Sequence, residues 1–173
     1  MMIRSILILL SVLLTSCAST HQPRSRGDLF SELSPGDRVH IRFASMGCFH
    51  SYGYDFDFER GAATTVRVTS LKRSYNEAAK EFAYTSPKRL GTLTLTSRDI
   101  SGLDRLVRYY RTHPRGMCTT VDDVTIEHFR RIWGPSAPAI ATEHYLDLSC
   151  ATDDLPGITT LDSLAKRLDP KAP

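Results

Sequence analysis

Cys48 and His50 stand two residues apart in the stretch SMGCFHSYGYDFDFE, Ser45 to Glu59, and a thiol beside an imidazole is the raw material of covalent catalysis. The imidazole takes the thiol proton and the thiolate attacks. Spacing weighs against this reading, because residues i and i+2 of a strand share a face at ~6 to 7 Å, too far for direct proton transfer unless Gly47 or Gly53 bends the chain. The simpler reading makes Cys48 a small buried hydrophobe and His50 a polar residue at a strand end. No catalytic residue is therefore predicted, and Cys48 with His50 are kept as nucleophile and base of the alternative.

The same two residues, joined by His128 or His144, could supply nitrogen and sulfur ligands to zinc. Zinc sites are usually built on local pairs such as C-x2-C or H-x3-H, and only C-x-H occurs here. The acidic pairs Asp122-Asp123 and Asp153-Asp154 lack the spacing of a calcium loop; the second precedes Leu155-Pro156-Gly157 and reads as a turn. Neither a metal nor another cofactor is expected.

Four cysteines are present, Cys17, Cys48, Cys118 and Cys150. If the segments on either side of Gly134 form a hairpin, residues whose numbers sum to about 268 face one another, and Cys118 with Cys150 meet that condition. This pairing is the predicted disulfide, which leaves Cys48 as the free thiol. Pairing of Cys48 with Cys118 from a neighbouring strand is the alternative, because a bulge would shift the register.

The strands that must carry these residues are announced by period-two alternation. Val39, Ile41 and Phe43 alternate with His40 and Arg42. Tyr54, Phe56 and Phe58 alternate with Asp55, Asp57 and Glu59, and Val66 and Val68 lie between Thr65, Arg67 and Thr69. Further strands are expected over Thr92–Thr96, Thr119–Phe129 and Ala141–Ser149. Helical spacing predicts a short helix over Ser74–Tyr84 and a longer one capped by Ser97 or Ser101, with Ile100, Leu103, Leu106, Val107 and Tyr110 on one stripe. A last helix capped by Thr159 and Asp162 aligns Leu161, Leu164, Ala165 and Leu168. The fold class that results is α+β: an antiparallel sheet of about five to six strands with two or three helices packed on one face. The long helix also carries Arg105, Arg108 and Arg111, followed by Arg115. These are read as its wet side, with binding of lipid phosphates or an acidic polymer as the functional alternative. Trp133 beside Gly134-Pro135 is either a recognition aromatic or a lid on the core.

The chain opens with Arg4 and the apolar run ILILLSVLL, Ile6 to Leu14. That run has the length of a signal-peptide core and falls short of the roughly 20 residues a spanning helix needs. Leu14-Thr15-Ser16-Cys17 follows at once, and it resembles the lipobox of bacterial lipoproteins. The resemblance implies cleavage before Cys17 and acyl chains, palmitate among them, on Cys17 itself. It also implies, through Ala18 rather than Asp in the next position, an outer-membrane location facing the periplasm. Each buried methylene contributes ~0.8 kcal/mol, so several acyl chains would hold the protein at the membrane almost irreversibly. The predicted organisation is residues 1–16 signal peptide, 17–34 lipidated N-terminus and tether, and 35–169 a single domain. Loss of Arg4 lowers the formal charge from +3 to +2, and with no basic stripe or recognised motif nucleic-acid binding is not expected.

Ser45-Met46-Gly47-Cys48-Phe49-His50 also resembles, over six residues, the S-H-G-C-x-R motif of the L,D-transpeptidases, which cross-link peptidoglycan through a cysteine thioester. Met46 stands where that family has histidine and His50 where it has arginine. The expected function is a membrane-anchored envelope lipoprotein that binds or assembles with an envelope protein or the cell wall. The alternative is a cysteine-dependent enzyme acting on cell-wall peptide through Cys48 and His50.

Overall fold

The computed structural model describes residues 28–76, 78, 81–131 and 138–172. The segment read as a signal peptide, Cys17 of the expected lipobox, and Trp133 lie outside them. Six strands, β1 (Arg38–Met46), β2 (Ser51–Arg60), β3 (Thr64–Asn76), β4 (Glu81–Thr94), β5 (Val121–Phe129) and β6 (Ala141–Asp147), form one antiparallel sheet in the order β4-β3-β2-β1-β5-β6. Two α-helices are seen among the described residues, α1 (Ser97–Arg111) and α2 (Leu161–Leu168).

Alternation in β1 and β2 works as the period requires. Val39, Ile41 and Phe43 are buried and stand opposite Phe58, Phe56 and Tyr54, which are buried too. Across the other flank of β1, Ile41 meets Ile126 and Phe43 meets Val124. The apolar stripe of α1 (Leu103, Leu106, Val107, Tyr110) and that of α2 (Leu161, Leu164, Ala165) join the same hydrophobic cluster. Burying side chains of this size contributes about 1.5 to 3 kcal/mol each, which is what holds the helices in place.

Helix α1 is capped by Thr96, one residue before the first predicted cap: its side chain accepts from Asp99 N–H, and Asp99 accepts in return from Thr96 N–H. Helix α2 is likewise capped one residue later than expected, by Thr160, whose hydroxyl accepts from Ser163 N–H at 3.1 Å. Arg108 and Arg111 lie in the last turn of α1, where its dipole favours cations.

Two expectations need correction. The described residues of the helix read over Ser74–Tyr84 are strand: Ser74 pairs with Ala83 and Asn76 with Glu81 in the β3–β4 ladder, and β4 absorbs most of the strand expected at Thr92–Thr96. A helix of about eleven residues is marginal by itself, whereas the β3–β4 ladder that runs from Thr65 and Thr94 continues through Ser74 and Ala83 to Asn76 and Glu81. The tether also ends earlier than residue 34. Leu29, Phe30 and Leu33 are buried in the core, with the Phe30 ring edge-on to Phe58 at 4.8 Å. Their backbone is held by Asp104 of α1, whose carboxylate accepts from Phe30 N–H at 2.6 Å and Ser31 N–H at 3.1 Å.

Candidate functional site

The chemistry-bearing residues gather at one end of the sheet. Cross-strand register sets Tyr52 opposite Ser45, Ser45 opposite Asp122, and Asp122 opposite Asp147, a polar row across β2, β1, β5 and β6. The row lies on the same face as Phe43 and Val124, two residues further in, because side chains alternate with period two. The C-terminal turn of α1 and the N-terminal turn of α2 close over it. Tyr52 Oη donates to Asp162 Oδ2 at 3.1 Å. Tyr109 Oη and Ser149 Oγ are 2.5 Å apart, while Asp147 Oδ1 accepts from Ser149 N–H and Oγ–H at 2.8 and 2.6 Å.

These surroundings keep the phenols protonated. Burial raises the Tyr52 pKa, and the nearby negative charge of Asp162 raises it further. Tyr110, almost wholly buried, is pushed up by burial and then by the negative charges of Asp122, Asp147 and Asp162. The Tyr145 hydroxyl donates to Glu143, which also takes two hydrogen bonds from Arg111 at 2.9 and 2.8 Å.

The β1–β2 connection decides what Cys48 and His50 can do. Gly47 N–H donates to His50 O at 3.0 Å, closing a two-residue loop of Cys48 and Phe49. Both loop residues project off the end of the sheet. Cys48 is therefore an exposed free thiol, which corrects the expectation that it is buried. His50 faces the other way. Its imidazole lies over Gly47, where a Cβ would come within 2.6 Å of the ring, and its Nε2 is 3.1 Å from Ser45 Oγ. The histidine thus serves Ser45 rather than the thiol. Ser45 is 3% exposed and enclosed by Tyr52 and Asp122, so the pair locks the turn onto the sheet and offers a substrate no approach to Oγ.

Cys118 and Cys150 are joined, with Cα atoms 6.0 Å apart and a sequence separation of 32. They lie beyond the β5–β6 ladder, whose pairs, such as Asp122 with Asp147, sum to 269 rather than 268. The left-handed backbone of Cys150 (φ 53°) turns the chain, and Cys118 N–H donates to Leu148 O at 3.0 Å. Local bending, not strand register, brings the sulfurs together.

The other residues singled out by sequence lie apart from this end or are occupied. His144 Nε2 is 2.8 Å from Asp123 Oδ1, and His128 lies 3.8 Å from Asp37 at the opposite end of the sheet. Neither joins Cys48 and His50, and among the described residues no group of three or more His, Cys, Asp or Glu is placed to hold a metal. Asp154 is exposed and ends a 3-10 turn, Thr152–Asp154. The α1 arginines are committed to the fold: Arg105 donates to Gly157 O at 3.2 Å, Arg108 pairs with Asp28, and Arg111 with Glu143. Arg115 lies past the helix and is exposed.

Sequence reading missed a charged cluster on the opposite face of the sheet. His40 Nδ1 is 2.9 Å from Asp57, its Nε2 is 3.4 Å from Asp55, and Arg42 Nε donates to Asp55 at 3.2 Å. Hydrogen bonding to Asp55 and Asp57 raises the His40 pKa from 6.5 to about 9. The signal was present, since a two-residue loop at Cys48-Phe49 sets His40 opposite Asp57 and Arg42 opposite Asp55. A cleft of about 230 Å³ beside it is lined by Arg38, Arg67, Asp57 and Glu59, charges of both signs that select for no one kind of ion.

No family model, curated protein or solved structure matches this chain.

Proposed function

We propose that the chain is a lipid-anchored component of the bacterial cell envelope that acts by binding or assembly and performs no chemistry of its own. The observation that carries this is Leu14-Thr15-Ser16-Cys17 set directly after the nine-residue apolar run Ile6–Leu14: a signal core followed by the residue types that lipoprotein processing recognises. Residues 1–16 are removed, Cys17 takes the acyl chains, and the folded part hangs in the periplasm from the outer membrane. Both helices cover one face of the sheet, a reading supported by their shared core cluster, and the charged face with His40 stays open for partners. No described helix is long and apolar enough to cross a membrane.

Support for a non-catalytic role comes from the β1–β2 turn, where the imidazole that would activate Cys48 is hydrogen-bonded to Ser45. Intact mass and N-terminal peptide analysis of protein extracted from bacterial membranes tests the anchor. A cleaved chain with acyl mass on Cys17 is expected; an unmodified Cys17 or a retained Met1 sinks the proposal. The cysteine-enzyme alternative is tested by labelling. An exposed thiol with no activating base labels slowly near neutral pH, while fast labelling already at pH 6 would restore Cys48 as a nucleophile.

A further inference from the structure

Phe49, Met117, Leu146 and Leu148 are large apolar side chains left exposed at the disulfide end of the sheet. Phe49 and Met117 are fully exposed. They sit on neighbouring loops: Met46 is opposite both Ser51 and Val121, which sets the Cys48-Phe49 turn beside the segment leading into β5. Gly47 touches that segment closely, since a Cβ there would lie 3.0 Å from Thr120 Oγ1.

Neither loop is loose. The first is closed by the Gly47–His50 hydrogen bond and the His50–Ser45 contact. The second is fastened by the Cys118–Cys150 bond immediately after Met117, and at Gly116 a Cβ would come within 2.4 Å of Leu148 O. A rigid apolar tip loses little conformational entropy when it is buried. Arg115, two residues before Met117, adds an exposed cation.

The place where the N-terminal segment reaches the domain points to what covers this tip. Asp28 is paired with Arg108 in the last turn of α1, and that turn lies at the disulfide end, where Tyr109 meets Ser149. Asp28 is eleven positions after Cys17, and a chain of eleven steps spans at most ~36 to 40 Å whatever its conformation. An acylated Cys17 therefore leaves the disulfide end within reach of the bilayer. We infer that Phe49 and Met117, with Leu148 behind them, insert into the headgroup and acyl boundary of the membrane that holds the anchor, so that the domain is seated on the lipid by its disulfide end. Apolar side chains entering that boundary with a flanking cation are the chemistry by which peripheral surfaces bind lipid. This inference rests on the lipid-anchor reading.

The test separates the two. The mature chain carrying Cys17→Ser, which has no acyl group, is mixed with vesicles of phosphatidylethanolamine and phosphatidylglycerol and sedimented. Partitioning is expected, with a loss of roughly tenfold or more for Phe49→Asp with Met117→Asp and no change for Ile140→Asp at the opposite end. In a Trp133→Phe background, Phe49→Trp should shift its fluorescence to the blue on addition of vesicles. No partitioning of the unacylated chain overturns the inference, as does partitioning that the double substitution leaves unchanged. A concentration-dependent dimer abolished by the same substitutions also overturns it, since the tip then docks a second copy. Acylation is read independently by mass, so failure of the anchor is distinguishable from failure of the tip.

Discussion

Asp104 offers the sharpest test of how the N-terminal segment is held. The residue is 1% exposed, and its carboxylate accepts from Phe30 N–H at 2.6 Å, from Ser31 N–H at 3.1 Å and from the Ser31 hydroxyl. Asp104→Ala removes all three bonds. Ser31 is exposed and its groups recover water at small cost. The N–H of Phe30 is enclosed with a buried ring and does not recover, and leaving such a donor unpaired costs about 1 to 3 kcal/mol. Adding the lost charge-assisted bonds and subtracting the relieved desolvation of the carboxylate gives a net destabilisation of about 2 to 4 kcal/mol. For a chain of this size that lowers Tm by roughly 5 to 15 °C. Asp104→Asn keeps an acceptor and should cost about half as much. Urea unfolding of the three proteins measures the differences, and hydrogen exchange at the amides of Phe30 and Ser31 locates them. An alanine variant within about 0.5 kcal/mol of the parent, or an unaltered Phe30 exchange rate, would refute the argument that this carboxylate pins residues 28–33 to α1.

Three further outcomes are expected. Cys118→Ser should destabilise by about 3 to 4 kcal/mol, the loop-closure term for a separation of 32 residues, and non-reducing peptide maps should show Cys118 linked to Cys150; a Cys48-linked peptide would mean the bridge is wrongly assigned. His40 has a folded-state pKa near 9, above its unfolded 6.5, so its contribution is fully present below pH 6.5 and is lost as pH rises towards 9. Partial exposure screens it to about 1 kcal/mol. Thermal melts should show that decline in the parent and not in His40→Gln, and NMR titration of His40 near 6.5 would contradict it. Asp55 and Asp57 are lowered, Asp55 by hydrogen bonds from His40 and Arg42 that outweigh its burial, Asp57 chiefly by the His40 hydrogen bond, so their share disappears only as pH falls through those lowered values. Gly102→Ala, worth about 1 kcal/mol of added stability in an open helix, should here destabilise by about 1 to 3 kcal/mol, because its Cβ would lie 2.1 Å from Thr159 Oγ1 and 2.6 Å from Thr159 N. A rise in Tm would show that the loop before α2 yields.

Much of the sheet was legible because alternation is a local property. Val39, Ile41 and Phe43 fix one strand of a hairpin, Tyr54, Phe56 and Phe58 the other, and the two-residue turn between them then dictates every partner from Arg38 with Glu59 to Met46 with Ser51. The stripes of α1 and α2 were legible for the same reason. Ser74–Tyr84 was not: its spacing fits a helix, and only the ladder begun far away at Thr65 and Thr94 makes a hairpin of it. Cys48 was read on a strand face, when the hydrogen bond between Gly47 and His50 places it on a loop and leaves the imidazole above Ser45.

The amino-acid order alone determined which residues alternate, which helices are amphipathic, and where the residues that resemble a lipobox stand, since each depends on neighbours within about one turn or one strand. The tertiary structure decided which histidine partner is within reach, that Asp104 holds Phe30 from 74 positions away, and that Phe49 and Met117 emerge at one end beside the disulfide. Those relations arise from contacts between distant segments, and such contacts are fixed only when the strands have paired and the helices have buried their apolar stripes.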